Sequence, residues 1–147
     1  CESFTNVVAK DELESDLVGG NIRPTAVQTN GHGRLNVFLR SDTAALTYRL
    51  TFSDLSSAAT AAHIHGPAND TTTAQILVNF ADLPDGGQGT IDLGVNGGAL
   101  GSIDLRQPVE AGVSGEEFFR LLQTSQLYVD VHTVNFPDGE IRGRISP

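Results

Sequence analysis

The segment AAHIHGPA, residues 61–68, places two of the chain's four histidines one residue apart. In an extended strand the side chains of residues i and i+2 point to the same side, so His63 and His65 would share one face while Ile64 faces the core. Imidazole nitrogens bind Zn²⁺ and Cu²⁺, carry protons in catalysis, and also form ordinary hydrogen bonds. The segment is therefore a candidate metal or catalytic site, and the alternative is a structural pair of strand histidines.

A third histidine has a matching orientation in the segment LYVDVHTV, residues 127–134. Strand periodicity puts Asp130 and His132 on one face of this segment and its valines on the other. If the two segments lie side by side, His63, His65 and His132 come within reach of one ion. Three imidazoles with an open position suit Zn²⁺ or Cu²⁺, and the absence of methionine and of a second cysteine argues against Cu⁺.

Further residues are candidates for a role beside these three histidines. His32, between two glycines, is either a fourth ligand or an exposed turn histidine. Glu140 and Arg142 alternate on the last predicted strand, where they would orient the ligands or steer anions together with Asp130. The alternative is a cross-strand ion pair of Arg142 with Glu140 or Asp130. No catalytic residue is assigned, because no serine–histidine–acid pattern or phosphate loop stands out, and a non-enzymatic role is favoured.

Short strands are the elements that must position these residues. Residues 34–40 and 45–52 alternate apolar and polar side chains at a period of two, and residues 41–43 are predicted to form the hairpin turn between them. A capping box, Ser114 to Glu117, predicts a short helix near 115–123. The pattern predicts an all-β, antiparallel, Greek-key-like sandwich or barrel of about seven to nine short strands with this one helix. The other predicted strands are residues 75–80, 89–93, 101–105, 127–134 and 140–146.

Composition and the first residue bear on the location of the chain. A net charge of −9 with only nine lysines and arginines argues against nucleic-acid binding. No apolar run approaches the roughly 20 residues that a membrane-spanning helix needs. A start at Cys1 resembles a mature bacterial lipoprotein, so we expect a lipidated Cys1, a tether over residues 1–11 and a single domain over 12–147 on an extracytoplasmic membrane surface, periplasmic or exposed on the cell. The alternative is a boundary that falls on a cysteine by chance.

The two histidine segments together resemble the CHRD domain, a family named from chordin. HIHGPA is one motif of the resemblance, and YVDVHT followed by FPDGEIRG is the other. The resemblance runs from about residue 12 to 146 and departs from the family pattern at residues 22–24 and at Asp130, where asparagine is usual. It implies an all-β domain without an established enzymatic activity, in a family that includes an extracellular growth-factor-binding protein. A module that binds a protein partner, or an accessory subunit of a membrane-surface complex, is the function that the resemblance implies.

The histidine pattern alone is also similar to copper–zinc superoxide dismutase. His63, His65 and His132 match, by motif, the strand histidines that hold copper in that enzyme. The sequence lacks a bridging histidine, a zinc loop and an intrasubunit disulfide. Our leading hypothesis is therefore the non-enzymatic, lipid-anchored module, carrying a three-histidine metal site with copper ahead of zinc. The alternative is a copper-binding protein with superoxide dismutase-like redox activity.

Overall fold

The computed structural model describes residues 12–40, 44–85, 87–110 and 112–147. It is all-β: nine antiparallel strands form one curled, half-barrel sheet in the order β5-β4-β8-β9-β1-β2-β3-β7-β6. This confirms the predicted fold class. The elements are β1 Glu12–Val18, β2 His32–Arg40, β3 Ala45–Ser53, β4 Ala59–His65, β5 Ile76–Asn79, β6 Gly87–Asp92, β7 Gly97–Asp104, α1 Gly115–Gln123, β8 Leu127–Thr133 and β9 Ile141–Ile145. The predicted tether, Cys1 and the turn at residues 41–43 lie outside the described residues.

The strands alternate buried and exposed residues because one face of the sheet covers the core. Strand β1 shows this pattern most clearly: Leu13 and Leu17 are fully buried while its acidic residues face solvent. The strand begins at Glu12, at the start of the predicted domain. In β3, every second residue from Leu46 to Phe52 is buried, as predicted.

Helix α1 begins as the capping box predicts. The Ser114 side chain accepts a hydrogen bond from the Glu117 backbone N–H at 3.1 Å, while the Glu117 carboxylate pairs with Arg120. The apolar face of the helix joins the main core through four buried side chains, Phe118, Phe119, Leu121 and Leu122. In the part of the chain that the structure describes, no helix is long and apolar enough to cross a membrane.

Strand β8 is central to the part of the sheet that carries the histidines. It pairs with β4 on one side and β9 on the other. In this register Asp130 lies directly opposite His63 on β4 and opposite Arg142 on β9. His132 lies opposite Ala61, diagonal to His63 on the same face. The core face of the same strands is filled by residues such as Ile64, which is 2% exposed.

Candidate metal centre

Four side chains on the face away from the core form one cluster: His63 and His65 on β4, and Asp130 and His132 on β8. One ligand atom from each lies within 4.8 Å of all the others. All four side chains are largely shielded from solvent, and His132, the most accessible, has 16% of its side-chain surface exposed. The sheet therefore brings together the three histidines singled out from the sequence and adds Asp130 to their centre.

Backbone carbonyls fix the orientation of two of the imidazoles. His65 Nδ1 lies 2.9 Å from the Ala74 carbonyl oxygen, and His132 Nδ1 lies 2.8 Å from that of Pro137. A carbonyl can only accept, so each Nδ1 carries the hydrogen. In a neutral ring the Nε2 atom then holds a lone pair, whereas in a protonated ring it donates to Asp130, the residue that both Nε2 atoms face. His65 Nε2 lies 3.0 Å from Asp130 Oδ1, and His132 Nε2 lies 3.2 Å from Oδ2.

His63 faces the same carboxylate without a hydrogen bond. Its Nδ1 atom is buried, lies 3.9 Å from Asp130 Oδ1 and has no hydrogen-bond partner. His132 Nε2 is likewise buried and is not aligned for a hydrogen bond. Buried polar atoms are nearly always satisfied, so two such atoms beside one carboxylate indicate a missing partner. A cation at the centre of the cluster would satisfy both.

The electrostatic environment differs among the side chains of the cluster. Burial lowers the pKa of His63 to about 4, an effect that Asp130 opposes and the two other imidazoles reinforce. His63 is therefore neutral at physiological pH and keeps a lone pair for a ligand bond. Burial alone would raise the pKa of Asp130, but its contacts with His132 and His65 outweigh burial and lower it. Burial would lower the pKa of His132, but contact with the Asp130 carboxylate raises it overall.

Residues 67–74, called here the 67–74 loop, cover the His65 side of the cluster. Its Ala74 carbonyl accepts from His65, and its Ala74 N–H donates to the Tyr128 hydroxyl at 3.2 Å. The Tyr128 ring stacks on the imidazole of His65, with centroids 4.7 Å apart and an interplanar angle of 1°. Arg142 donates to two carbonyls of this loop, those of Asn69 and Thr72, instead of to a carboxylate.

The remaining sequence candidates lie away from the cluster centre. His32 is exposed on β2, where its ring contacts the Ser53 hydroxyl and the Asn30 carbonyl. Glu140 is fully buried but accepts hydrogen bonds from Thr29 and Ser56 in neighbouring loops and from Thr133 at the end of β8. Neither belongs to the histidine cluster.

Sequence reasoning assigned Asp130 an orienting role and did not place it among the direct ligands. The signal was present, because Asp130 and His132 share strand parity, as His63 and His65 do. The carbonyls of Ala74 and Pro137 could not be found in the same way. They belong to loops whose approach to the sheet depends on tertiary packing.

The donor set defines what the cluster can do. Three imidazole nitrogens and one carboxylate oxygen match the ligands that Zn²⁺ and Cu²⁺ take in proteins. Bonds of about 2.0–2.2 Å in a tetrahedron hold the ligand atoms roughly 3.5 Å apart, so small side-chain rotations would close this set around an ion. The cluster could therefore hold a metal.

Comparison with known proteins identifies one family. A family model described as the CHRD domain matches residues 13–145, which reach from β1 to β9 and include both histidine segments. Neither the curated proteins nor the solved structures give a significant match. The resemblance read from the two histidine motifs is thereby confirmed.

Proposed function

Because the chain belongs to the CHRD domain family, we propose that it is a non-enzymatic module in which His63, His65, Asp130 and His132 bind one divalent transition-metal ion. The proposal rests chiefly on one observation: ring nitrogens of three imidazoles converge on a buried carboxylate, and two of these nitrogens are buried without a hydrogen-bond partner. Acceptors that face one another in this way repel unless a proton or a cation lies between them.

The two backbone-fixed tautomers support a metal more strongly than a lone proton. Metal-binding histidines almost always donate their other ring N–H to a carbonyl or carboxylate, which fixes the tautomer and orients the ring. His65 and His132 both do so, through Ala74 and Pro137. A single proton shared with Asp130 would satisfy only one imidazole and would leave His63 Nδ1 without a partner.

The donor set also bears on which metal binds. A site of three nitrogens and one oxygen, without sulfur, suits both Zn²⁺ and Cu²⁺. The general affinity order of divalent ions favours Cu²⁺, which agrees with our preference for copper from the sequence. The fourth donor, Asp130, favours a closed tetrahedral site of the kind that structural zinc occupies. We therefore propose a Cu²⁺- or Zn²⁺-class ion whose role is to hold β4, β8 and their loops together.

Redox catalysis of the superoxide dismutase type is the less supported alternative. Catalytic metal sites keep an open position for a substrate, whereas Asp130 supplies a fourth donor here. This fourth donor favours a structural ion over a reacting one.

The location and partner of the domain are also proposals. CHRD domains are typically extracellular or secreted, which supports an extracytoplasmic module. Lipidation at Cys1 and binding of a protein partner at a membrane surface remain predictions from the sequence. Metabolic labelling with a fatty acid, compared between the wild type and Cys1→Ser, tests the anchor, and cross-linking in native membranes tests the partner.

Metal content tests the central proposal. The chelator-stripped chain is loaded with Zn²⁺ or Cu²⁺, desalted and assayed for bound metal. We expect one ion per chain in the wild type, and affinities weaker by more than about tenfold in His63→Ala and His132→Ala. His32→Ala is the matched control, because it removes a histidine outside the cluster, and it should bind like the wild type. Unchanged metal content in the His63 and His132 variants would overturn the proposal.

A further inference from the structure

Arg142 is a buried cation whose bonding partners are unusual. Arg142 is only 4% exposed. Its guanidinium donates to two backbone carbonyls, that of Asn69 at 3.0 Å and that of Thr72 at 2.7 Å, and not to a carboxylate. Its carbon Cζ also lies 3.5 Å from the centre of the Tyr128 ring, a cation–π contact. A buried charge is costly unless it is well bonded, and here two carbonyls and an aromatic ring supply that bonding.

The Tyr128 ring links Arg142 to the metal cluster. Strand β8 lies between β4 and β9, so the guanidinium and the His65 imidazole approach Tyr128 from opposite sides. The imidazole and the ring are parallel within 1°, with centroids 4.7 Å apart. A guanidinium, an aromatic ring and a candidate ligand thus form one continuous stack. Movement of Arg142 would release the support on which His65 rests.

The 67–74 loop provides a second connection between the same groups. Arg142 donates to the carbonyls of Asn69 and Thr72. Two residues after Thr72, the Ala74 carbonyl accepts from His65 Nδ1. The Ala74 N–H in turn donates to the Tyr128 hydroxyl. Arg142 therefore supports both the ring beneath His65 and the carbonyl that fixes its tautomer.

We propose that Arg142 is a positioning residue for the metal site, holding His65 Nε2 toward the ion through Tyr128 and the 67–74 loop. This inference rests on the metal-binding function proposed above. A purely electrostatic role predicts the opposite sign, because a nearby positive charge repels a divalent ion. Substitutions of Arg142 can therefore separate the two roles.

The test compares Arg142→Lys and Arg142→Gln with the control Arg144→Lys. Arg144 lies on the same strand and contacts the same loop through Asp70, but it is exposed. Affinity is measured with Zn²⁺ by chelator competition, and geometry by the visible absorption of bound Co²⁺. We expect both Arg142 variants to bind about 10- to 100-fold more weakly, with an altered Co²⁺ spectrum, and Arg144→Lys to match the wild type. Wild-type affinity and spectrum in Arg142→Lys, or tighter binding by Arg142→Gln, would overturn the inference.

Nuclear magnetic resonance of the metal-free chain separates this inference from the proposed function. Imidazole ¹⁵N shifts report the tautomer of His65, which should carry its proton on Nδ1 in the wild type and lose that preference in Arg142→Lys. Tyr128→Phe keeps the stack and should retain more of the preference than Tyr128→Leu. If the wild type binds no metal, the proposed function fails while these shifts still test the positioning. If the shifts and affinities are unchanged in Arg142→Lys, only the positioning role fails.

Discussion

Asp130 and Glu140 are both buried carboxylates of the β8–β9 hairpin, yet the groups that surround them differ in chemical type. Glu140 accepts four hydrogen bonds from the chain itself: from the Thr29 hydroxyl at 2.6 Å, the Ser56 N–H at 2.9 Å, the Ser56 hydroxyl at 2.7 Å and the Thr133 hydroxyl at 2.9 Å. Asp130 faces three imidazoles, two of which leave buried nitrogens without an aligned partner.

The difference distinguishes a structural carboxylate from one that could hold a metal ion together with its neighbours. A carboxylate surrounded by donors is satisfied by folding alone and ties together the segments that supply those donors. Glu140 does this for the loops around Thr29 and Ser56. A carboxylate that faces ring nitrogens is satisfied only when a proton or a cation lies between them. Burial alone would not have distinguished them, since both residues are at most 5% exposed.

The largest expected effect in the metal-free chain is the loss of stability in Glu140→Gln. Replacing the carboxylate removes the charge that four donors share, and the amide nitrogen cannot accept from them. We expect the free energy of unfolding in urea with chelator present to fall by about 3 kcal/mol. Asp130→Asn is the matched control and should lose less than about 1 kcal/mol, because the new amide N–H can donate to an imidazole lone pair. Equal losses in the two variants would remove the distinction between the carboxylates.

Added metal should narrow the difference in stability between these two variants. A ligand at 100 times its Kd stabilises the folded state by about 2.7 kcal/mol. We expect Zn²⁺ at that excess to stabilise the wild type and Glu140→Gln by this amount, and to stabilise Asp130→Asn by less than about 1.5 kcal/mol. The measurement is the same urea titration with and without metal. A full gain in Asp130→Asn would exclude Asp130 as a ligand.

Acid should act on Glu140 in a defined direction. Burial raises the pKa of Glu140, but hydrogen bonds from Thr29, Ser56 and Thr133 outweigh burial and hold it below its ordinary value of 4.5. A depressed pKa contributes stability that is present above about pH 4.5 and is lost as the pH falls through the folded-state value. The stability difference between the wild type and Glu140→Gln should therefore shrink below pH 4.5, by at most about 1.4 kcal/mol per pH unit. A constant difference down to pH 3 would contradict this assignment.

Local periodicity was sufficient to predict the strands and the shared face of the histidines. The alternation in β3 and the parity of His63, His65 and His132 depend only on the pleat of a strand, so they could be read directly. The antiparallel pairing of β4 with β8, which carries the cluster, was expected only as one way in which the segments could meet.

The contacts that complete the two carboxylate sites were beyond sequence reasoning. Glu140 receives its donors from Thr29 and Ser56, far away in the chain, and neither residue carries a motif. Arg142 was expected to pair with a carboxylate or steer anions, but it donates to the carbonyls of the 67–74 loop. Such contacts depend on where loops cross the sheet, which strand periodicity does not determine.

The smallest predicted effect isolates a single donor to Glu140. The Thr133 hydroxyl donates to Glu140 and accepts from the Phe136 N–H. Thr133→Val therefore removes both hydrogen bonds while it preserves the shape of the side chain. We expect a loss of about 1 kcal/mol in the free energy of unfolding, whether or not metal is present. Thr51→Val, on the exposed face of β3, is the matched control and should stay within about 0.5 kcal/mol of the wild type.

The double variant Thr133→Val/Glu140→Gln then measures how far the loss depends on the carboxylate. The two residues share a bond, so their effects should not add, and the double variant should lose less than the sum of the single losses. Pairing Thr133→Val with Asp130→Asn should instead give additive losses, because Thr133 bonds to Glu140 whereas Asp130 contacts the histidines, and each substitution acts in a separate network. Strong coupling in the second pair would mean that the two carboxylates belong to one network.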